Sequence, residues 1–330
     1  VNQAPSTGSA KETIPVVDFD GVWSDDPKVR ARTAADLGRA LEVYGFLYLK
    51  NHRIPTAVVK TMFDQSRKLF YLPQEAKEAL RQPQGIGRGE RHGYEGVGHQ
   101  ALGGNPGGDL KEIFHCGPER PGATPNIWPK ELPEFKEAAM AFHEAAAKAG
   151  NRFYKAIAVA LALSENYFDG YFDHSEALLR INHYPPVQGA VVPRQIRAGA
   201  HTDFGGITLL FNDGEGGLEV QDRDGSWIPA PVVEGACIVN TGDLTERWSN
   251  GRFRSTMHRV VMPVAEAAKR DRYSIAFFFG PNKDAVISCL PTCQDAEHPP
   301  KFPPITALEH VRARVAESRK GVTGQADASY

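Results

Sequence analysis

Residues 207–221 read Ile207-Thr-Leu-Leu-Phe-Asn-Asp-Gly-Glu-Gly-Gly-Leu-Glu-Val-Gln221. A β-branched and apolar run stops at an Asn/Asp/Gly cluster, and a second, alternating run follows. That grammar is strand, tight turn, strand. Working outward, the same pattern predicts strands over 178–184, 226–228, 236–240, 256–261 and 273–279. Many short strands with no helices between them point to a sandwich or barrel.

Upstream, the pattern changes. Ile14-Pro-Val-Val-Asp-Phe19 and Gly45-Phe-Leu-Tyr-Leu49 are strand-like. Helical spacing is expected over 25–41, 56–70 and 134–163, with Phe135, Phe142, Phe153 and Tyr154 as packing residues and Gly150 as an interruption. Short elements follow over 111–115 (strand) and 165–172 (helix), and a charged amphipathic helix closes the chain over 305–318. No repeat and no linker to a second core is visible. We therefore expect one domain, 1–330, mainly β with α, its β core over about 178–290 and its ends, 1–12 and 319–330, flexible.

Composition narrows the function classes. The 330 residues are 41% hydrophobic and 24% charged, with a net charge of -2 and no basic block, which argues against nucleic acid as a partner. No apolar run approaches the roughly 20 residues of a membrane span. Cys116, Cys237, Cys289 and Cys293 are too scattered for a disulfide framework, and Cys289 and Cys293 lack a second pair to close a zinc site. Reduced thiols and a cytoplasmic location are expected.

The chemistry centres on His201-Thr202-Asp203. In extended backbone, residues two apart point the same way, so His201 and Asp203 can reach one ion. His258, in another predicted strand, completes two imidazoles and one carboxylate. This set leaves coordination positions open and suits iron(II) oxygen chemistry. Roughly one His-x-acid pair is expected by chance in a chain of this composition. The rival pair, His174-Ser175-Glu176, sits at a helix-to-strand junction where the parity argument is weaker. Neither His-Glu-x-x-His nor Gly-x-Ser-x-Gly occurs, which disfavours a hydrolase. Arg272 and Ser274 alternate on one predicted strand, and a guanidinium fork plus a hydroxyl makes a carboxylate clamp.

Ordered matches then cover about residues 12–318. They are Asn182-x-Tyr184-Pro185, His201-Thr-Asp-Phe-Gly205, Gly217-Leu-Glu-Val220, Val239-Asn-Thr-Gly-Asp243, Trp248-Ser-Asn250, Ser255-Thr-Met-His-Arg-Val260 and Arg272-Tyr-Ser274. With these, the chain resembles the isopenicillin N synthase-like family of non-haem iron(II)/2-oxoglutarate-dependent dioxygenases. The resemblance implies a double-stranded β-helix (jelly roll) core, iron(II) on His201, Asp203 and His258, and 2-oxoglutarate and dioxygen as cosubstrates. It places the distal carboxylate of 2-oxoglutarate on Arg272 and Ser274, with Tyr184 and Asn182 assisting. The implied reaction hydroxylates, desaturates or cyclises a small-molecule metabolite and releases succinate and carbon dioxide. Alternatives are an oxoglutarate-independent oxidase of the isopenicillin N synthase type and a non-catalytic binding module.

Two groups form the expected substrate shell. Strand parity carries Val260, Ala276 and Phe278 inward, and Phe204 adjoins the triad. The glycine-rich stretch 82–108 offers Arg88, Arg91, His92 and Tyr94, and is too long for a simple connection. An arginine there would hold an acidic or polar substrate.

Overall fold

The structure is a computed structural model, which describes residues 13–81, 91–187, 193–263 and 265–319. The front half runs β1 (Val16–Asp18), α1 (Pro27–Val43), β2 (Phe46–Lys50), α2 (Thr56–Phe70), α3 (Gln74–Ala79), β3 (Tyr94–Glu95), β4 (Glu112–Cys116), α4 (Pro133–Ala160) and α5 (Asp169–Phe172). The back half runs β5 (Leu178–Tyr184), β6 (Ala198–His201), β7 (Ile207–Asn212), β8 (Leu218–Gln221), β9 (Trp227–Pro229) and β10 (Ala236–Thr241). Then come α6 (Asp243–Trp248), β11 (His258–Val260), β12 (Arg272–Phe279), β13 (Val286–Ile287), β14 (Ile305–Thr306) and α7 (Ala307–Arg319).

Eight strands form one sheet in the order β1-β2-β10-β7-β12-β5-β4-β3, and four form a second in the order β6-β11-β8-β9. Apart from the parallel pair β1–β2, every pairing in these two sheets is antiparallel. Side chains from both meet in one apolar cluster, with Phe46, Tyr184 and Ile238 from the large sheet against Ala198, Val220 and Val260 from the small one. The two sheets thus lie face to face. The opposite face of the large sheet carries α1, α2 and α4, where the larger core gathers Leu37, Phe70, Phe142 and Phe153 against Leu179, Leu209, Ile275 and Phe277.

Local rules account for the helices. Asp26 caps α1 by accepting the Lys28 amide at 2.8 Å, and Pro27 occupies the first turn, where its missing N–H costs nothing. The four aromatics expected to pack from α4 are all buried. The expected interruption at Gly150 does not occur, and α4 is continuous. Packing explains the glycine, since a Cβ there would lie 2.7 Å from the Phe279 ring. Tertiary contact thus outweighs the weak helix propensity.

Six elements were not foreseen: α3, β3, β6, α6, β13 and β14. Each is six residues or shorter, too short to show a period. Helix α7 runs to Arg319, one residue into the expected loose tail, whereas residues 1–12, residues 320–330 and Arg88 lie outside the described residues. Among the described residues no helix is long and apolar enough to cross a membrane. All four cysteines are unpaired.

Candidate metal centre and cavity

His201 and His258 stand directly opposite each other in the antiparallel pair β6–β11, with ring centroids 4.3 Å apart. Asp203 lies two residues beyond His201, but β6 has already ended there. The parity argument therefore covers only part of the geometry. A turn carries the carboxylate the rest of the way, and the start of α6 holds that turn. The amides of Gly242, Asp243 and Leu244 donate to the carbonyls of Gly206, Asp203 and Gly205 at 2.7, 2.8 and 3.1 Å. Gly242 is required at this approach, because a Cβ would come within 2.8 Å of the Asp203 carbonyl.

Asp203 Oδ1 lies 3.9 Å from His201 Nε2 and 3.8 Å from His258 Nε2. One ligand atom from each residue falls within 4.8 Å of the other two. The remaining polar atoms are tied back. His201 Nδ1 faces the Gly199 carbonyl at 2.8 Å, and His258 Nδ1 faces the Thr256 carbonyl at 3.1 Å. A carbonyl can only accept, so each Nδ1 carries the proton and each Nε2 presents a lone pair. Asp203 Oδ2 accepts from Thr208 Oγ1 at 2.5 Å and Asn240 Nδ2 at 2.7 Å, which leaves Oδ1 facing the imidazoles. Three inward donor atoms with outer partners fixed match what a 2-His-1-carboxylate site requires.

The electrostatics agree. Burial lowers the pKa of the His201 imidazole, the nearby His258 lowers it further, and the ring stays neutral. For Asp203, burial pushes the carboxyl up. The two imidazoles and the hydrogen bonds from Asn240 and Thr208 outweigh that push, so it stays a carboxylate.

His201 and Asp203 border a cavity of about 360 Å³. Its apolar wall includes Leu102, Leu178, Phe204 and Phe278, together with Leu308, Val311 and Val315 of α7. Its polar side holds His92, Thr124, Glu176, Arg180 and Lys283. Lys283 Nζ donates to Glu176 Oε2 at 2.7 Å, as does Thr124 Oγ1 at 2.9 Å. Burial drops the His92 pKa to about 4, so its ring is neutral. Arg180 donates to His115 Nε2 at 2.7 Å and lies over the Phe278 ring.

Of the expected substrate shell, His92, Phe204 and Phe278 reach this cavity. Four others do not. Arg91 is solvent-exposed, and Tyr94 is buried in the helix-side core with its hydroxyl donated to Glu112 at 2.6 Å. Val260 packs between the sheets, and Ala276 shares the inward parity of Phe278 but is buried away from the cavity lining. The rival pair does not assemble either. His174 is exposed between Asp173 and Asp284, while Glu176 turns to Lys283.

Arg272, Ser274, Asn182 and Tyr184 come together across the β5–β12 ladder, where Arg272 faces Tyr184 and Ser274 faces Asn182. Asn182 Nδ2 donates to Ser274 Oγ at 3.2 Å. Three contributors were not singled out from sequence. Thr208 and Asn240 anchor Asp203 from β7 and β10, although both lie inside quoted motifs. Helix α7 forms a cavity wall and is tied down by Arg314, which donates to Asp243 and Thr202 at 3.0 Å each. It is the charged amphipathic helix expected over 305–318, and its apolar residues Leu308, Val311 and Val315 face the cavity.

A family model described as the 2OG-Fe(II) oxygenase superfamily matches residues 175–281. A second, described as the N-terminal region of a non-haem dioxygenase in morphine synthesis, matches residues 14–131. The chain is 34% identical over 320 residues to a 2-oxoglutarate-Fe(II) type oxidoreductase of Emericella nidulans, covering 92% of this chain and 90% of that one. It is also 34% identical over 291 residues to validamycin A dioxygenase of Streptomyces hygroscopicus, covering 83% and 78%. Among solved structures, full-length Neurospora crassa T7H in complex with alpha-KG and thymine superposes with a TM-score of 0.84 at 34% identity, covering 92% of this chain and 97% of that one.

Proposed function

The chain belongs to the 2OG-Fe(II) oxygenase superfamily, and we propose that His201, Asp203 and His258 hold its iron(II) while Arg272, Ser274, Tyr184 and Asn182 receive the distal end of 2-oxoglutarate. It is an iron(II)- and 2-oxoglutarate-dependent dioxygenase acting on small molecules. The observation that carries the residue assignment is the inward convergence of three donor atoms whose neighbouring polar atoms are already engaged. In this reading the two facing sheets are a jelly roll, and the chain forms one domain. Four unpaired cysteines favour a reducing, cytoplasmic setting.

Bound iron supplies dioxygen activation coupled to oxidation of 2-oxoglutarate to succinate and carbon dioxide. The chain's own residues supply position and dryness. The Gly199 and Thr256 carbonyls fix both imidazole tautomers. Thr208 and Asn240 stop the Asp203 carboxylate from rotating. Phe204, Phe278 and the apolar face of α7 exclude water beside the triad.

The cavity favours a small substrate with an apolar body against Phe278 and Phe204 and a polar or acidic group toward Arg180 and the Lys283–Glu176 pair. Candidate metabolites incubated with iron(II), 2-oxoglutarate and oxygen test the assignment, with succinate and product mass as readouts. The expected result is substrate-dependent succinate release that His258→Ala abolishes. Undiminished release from that variant overturns the assignment of His258.

A further inference from the structure

Two arginines approach the Tyr184 ring. The Cζ of Arg272 lies 4.6 Å from its ring centroid, and the Cζ of Arg197 lies 5.9 Å from it. Arg272 opens β12 of the large sheet, whereas Arg197 immediately precedes β6 of the small one. The fold therefore brings two cations from facing sheets to one ring. Arg197 is 3% exposed and Arg272 1%.

Buried charges are ordinarily paired, because an unpaired one loses hydration without replacement. Neither guanidinium forms an ion pair with a described carboxylate. The acids that approach are engaged elsewhere. Glu215 forks onto Arg270 at 2.8 and 2.9 Å, and Asp213 accepts the Tyr273 and Glu215 amides. Among the described residues Arg272 donates to neutral oxygens only, the carbonyls of Glu215 and Gly216 at 2.9 and 2.8 Å and Asn212 Oδ1 at 3.2 Å. Arg197 reaches the Arg270 carbonyl at 3.3 Å. Among the described residues, Arg272 Nη1 and Arg197 Nε are buried with no hydrogen-bond partner. Burial, then the charge of Arg272, lowers the pKa of Arg197, the direction expected of a cation awaiting an anion.

We propose that Arg197 is a second guanidinium for the distal carboxylate of 2-oxoglutarate, forming with Arg272 a two-arginine clamp across the Tyr184 ring. This rests on the cosubstrate assignment made above for Arg272 and Ser274. A carboxylate has two oxygens and about four acceptor sites, so two forks can share it. One anion would answer the two unpartnered N–H groups and relieve the repulsion between the cations. The clamp would also make binding depend on the distal carboxylate, because a 2-oxo acid lacking it leaves both charges uncompensated.

Calorimetric titration under nitrogen tests this, with iron(II)-loaded full-length protein and two probes of equal chain length, 2-oxoglutarate and 2-oxopentanoate. In Arg197→Gln, affinity for 2-oxoglutarate is expected to fall about tenfold or more while affinity for 2-oxopentanoate stays within about twofold. Arg197→Lys should recover part of the loss. Thermal unfolding supplies the second readout. Ligand-free Arg197→Gln should unfold no lower than the parent, since a buried repulsion is removed, but should gain less from added 2-oxoglutarate. Equal losses for both probes, or a lowered ligand-free melting point with the preference for 2-oxoglutarate intact, would mark Arg197 as structural and overturn the clamp. Unchanged 2-oxoglutarate affinity in both variants overturns it too. If Arg272→Gln also leaves that affinity unchanged, the cosubstrate assignment itself fails, a separate result.

Discussion

The two faces of the large sheet follow opposite rules, and β12 displays both. Tyr273, Ile275, Phe277 and Phe279 point to the helices and join a core of interlocked rings. Arg272, Ser274, Ala276 and Phe278 point the other way, toward the small sheet and the cavity. One face is apolar and close-packed, and the other carries charge, hydroxyls and space. A period-two strand can hold both programmes without interference, because adjacent side chains never share a face. Stability and chemistry thus separate residue by residue along a single strand.

That separation can be broken most sharply at the proposed metal centre. Asp203→Ala or His258→Ala should cost iron affinity more than the roughly 10- to 100-fold typical of losing an outer partner, with far smaller effects on melting. Equilibrium dialysis of iron(II) together with circular dichroism measures both. The converse holds on the helix face. Phe277→Ala should cost about 3–5 kcal/mol in chemical denaturation, with metal affinity retained in the folded fraction. Phe278→Ala, its neighbour facing the cavity, should cost about 1 kcal/mol and act mainly on substrate KM. Equal destabilisation by the two would end the two-face account.

Thr208 and Asn240 lie between these extremes. Thr208→Val or Asn240→Ala removes one of the two donors to Asp203 Oδ2 and should weaken iron binding about 10- to 100-fold without unfolding the chain. The smallest effect is at α7. Burial alone raises the Asp243 pKa, but His310, Ser255 and Arg314 bring it below its ordinary 3.8. A carboxyl lowered on folding stabilises the fold above its unfolded value, and that contribution disappears as pH falls from about 4 through the folded value. Acid should therefore loosen α7 first. Asp243→Asn should flatten this part of the melting-versus-pH curve, whereas an unchanged acid limb would remove α7 from the account.

Much of this was legible in advance. Most strands from Leu178 onward, though not the short β6, β13 and β14, were readable because their alternation and their Asn/Asp/Gly turns are local signals. The inward parity of Arg272, Ser274 and Phe278 followed from the same period. His201 and His258 could be named as partners, and they do face each other across a ladder. Less legible was how Asp203 joins them, because its turn is shaped by amides of α6 some forty residues on. Tyr94 and Arg91 misled for a related reason. Residue type and a glycine-rich setting indicate chemistry but not direction, and the β3–β4 pairing turns Tyr94 toward Glu112.

By itself the sequence determined the period of the longer strands, the residue types of the proposed triad and carboxylate clamp, and the lack of any competing hydrolytic motif. These depend on spacing within one segment, which the backbone repeat converts directly into direction. Only the tertiary structure decided that α7 walls the cavity, that Gly150 admits a ring, that Thr208 and Asn240 anchor Asp203, and that Arg197 meets Arg272 over Tyr184. Each of these joins residues distant in the chain, and no local period records which segments a closed pair of sheets will bring together.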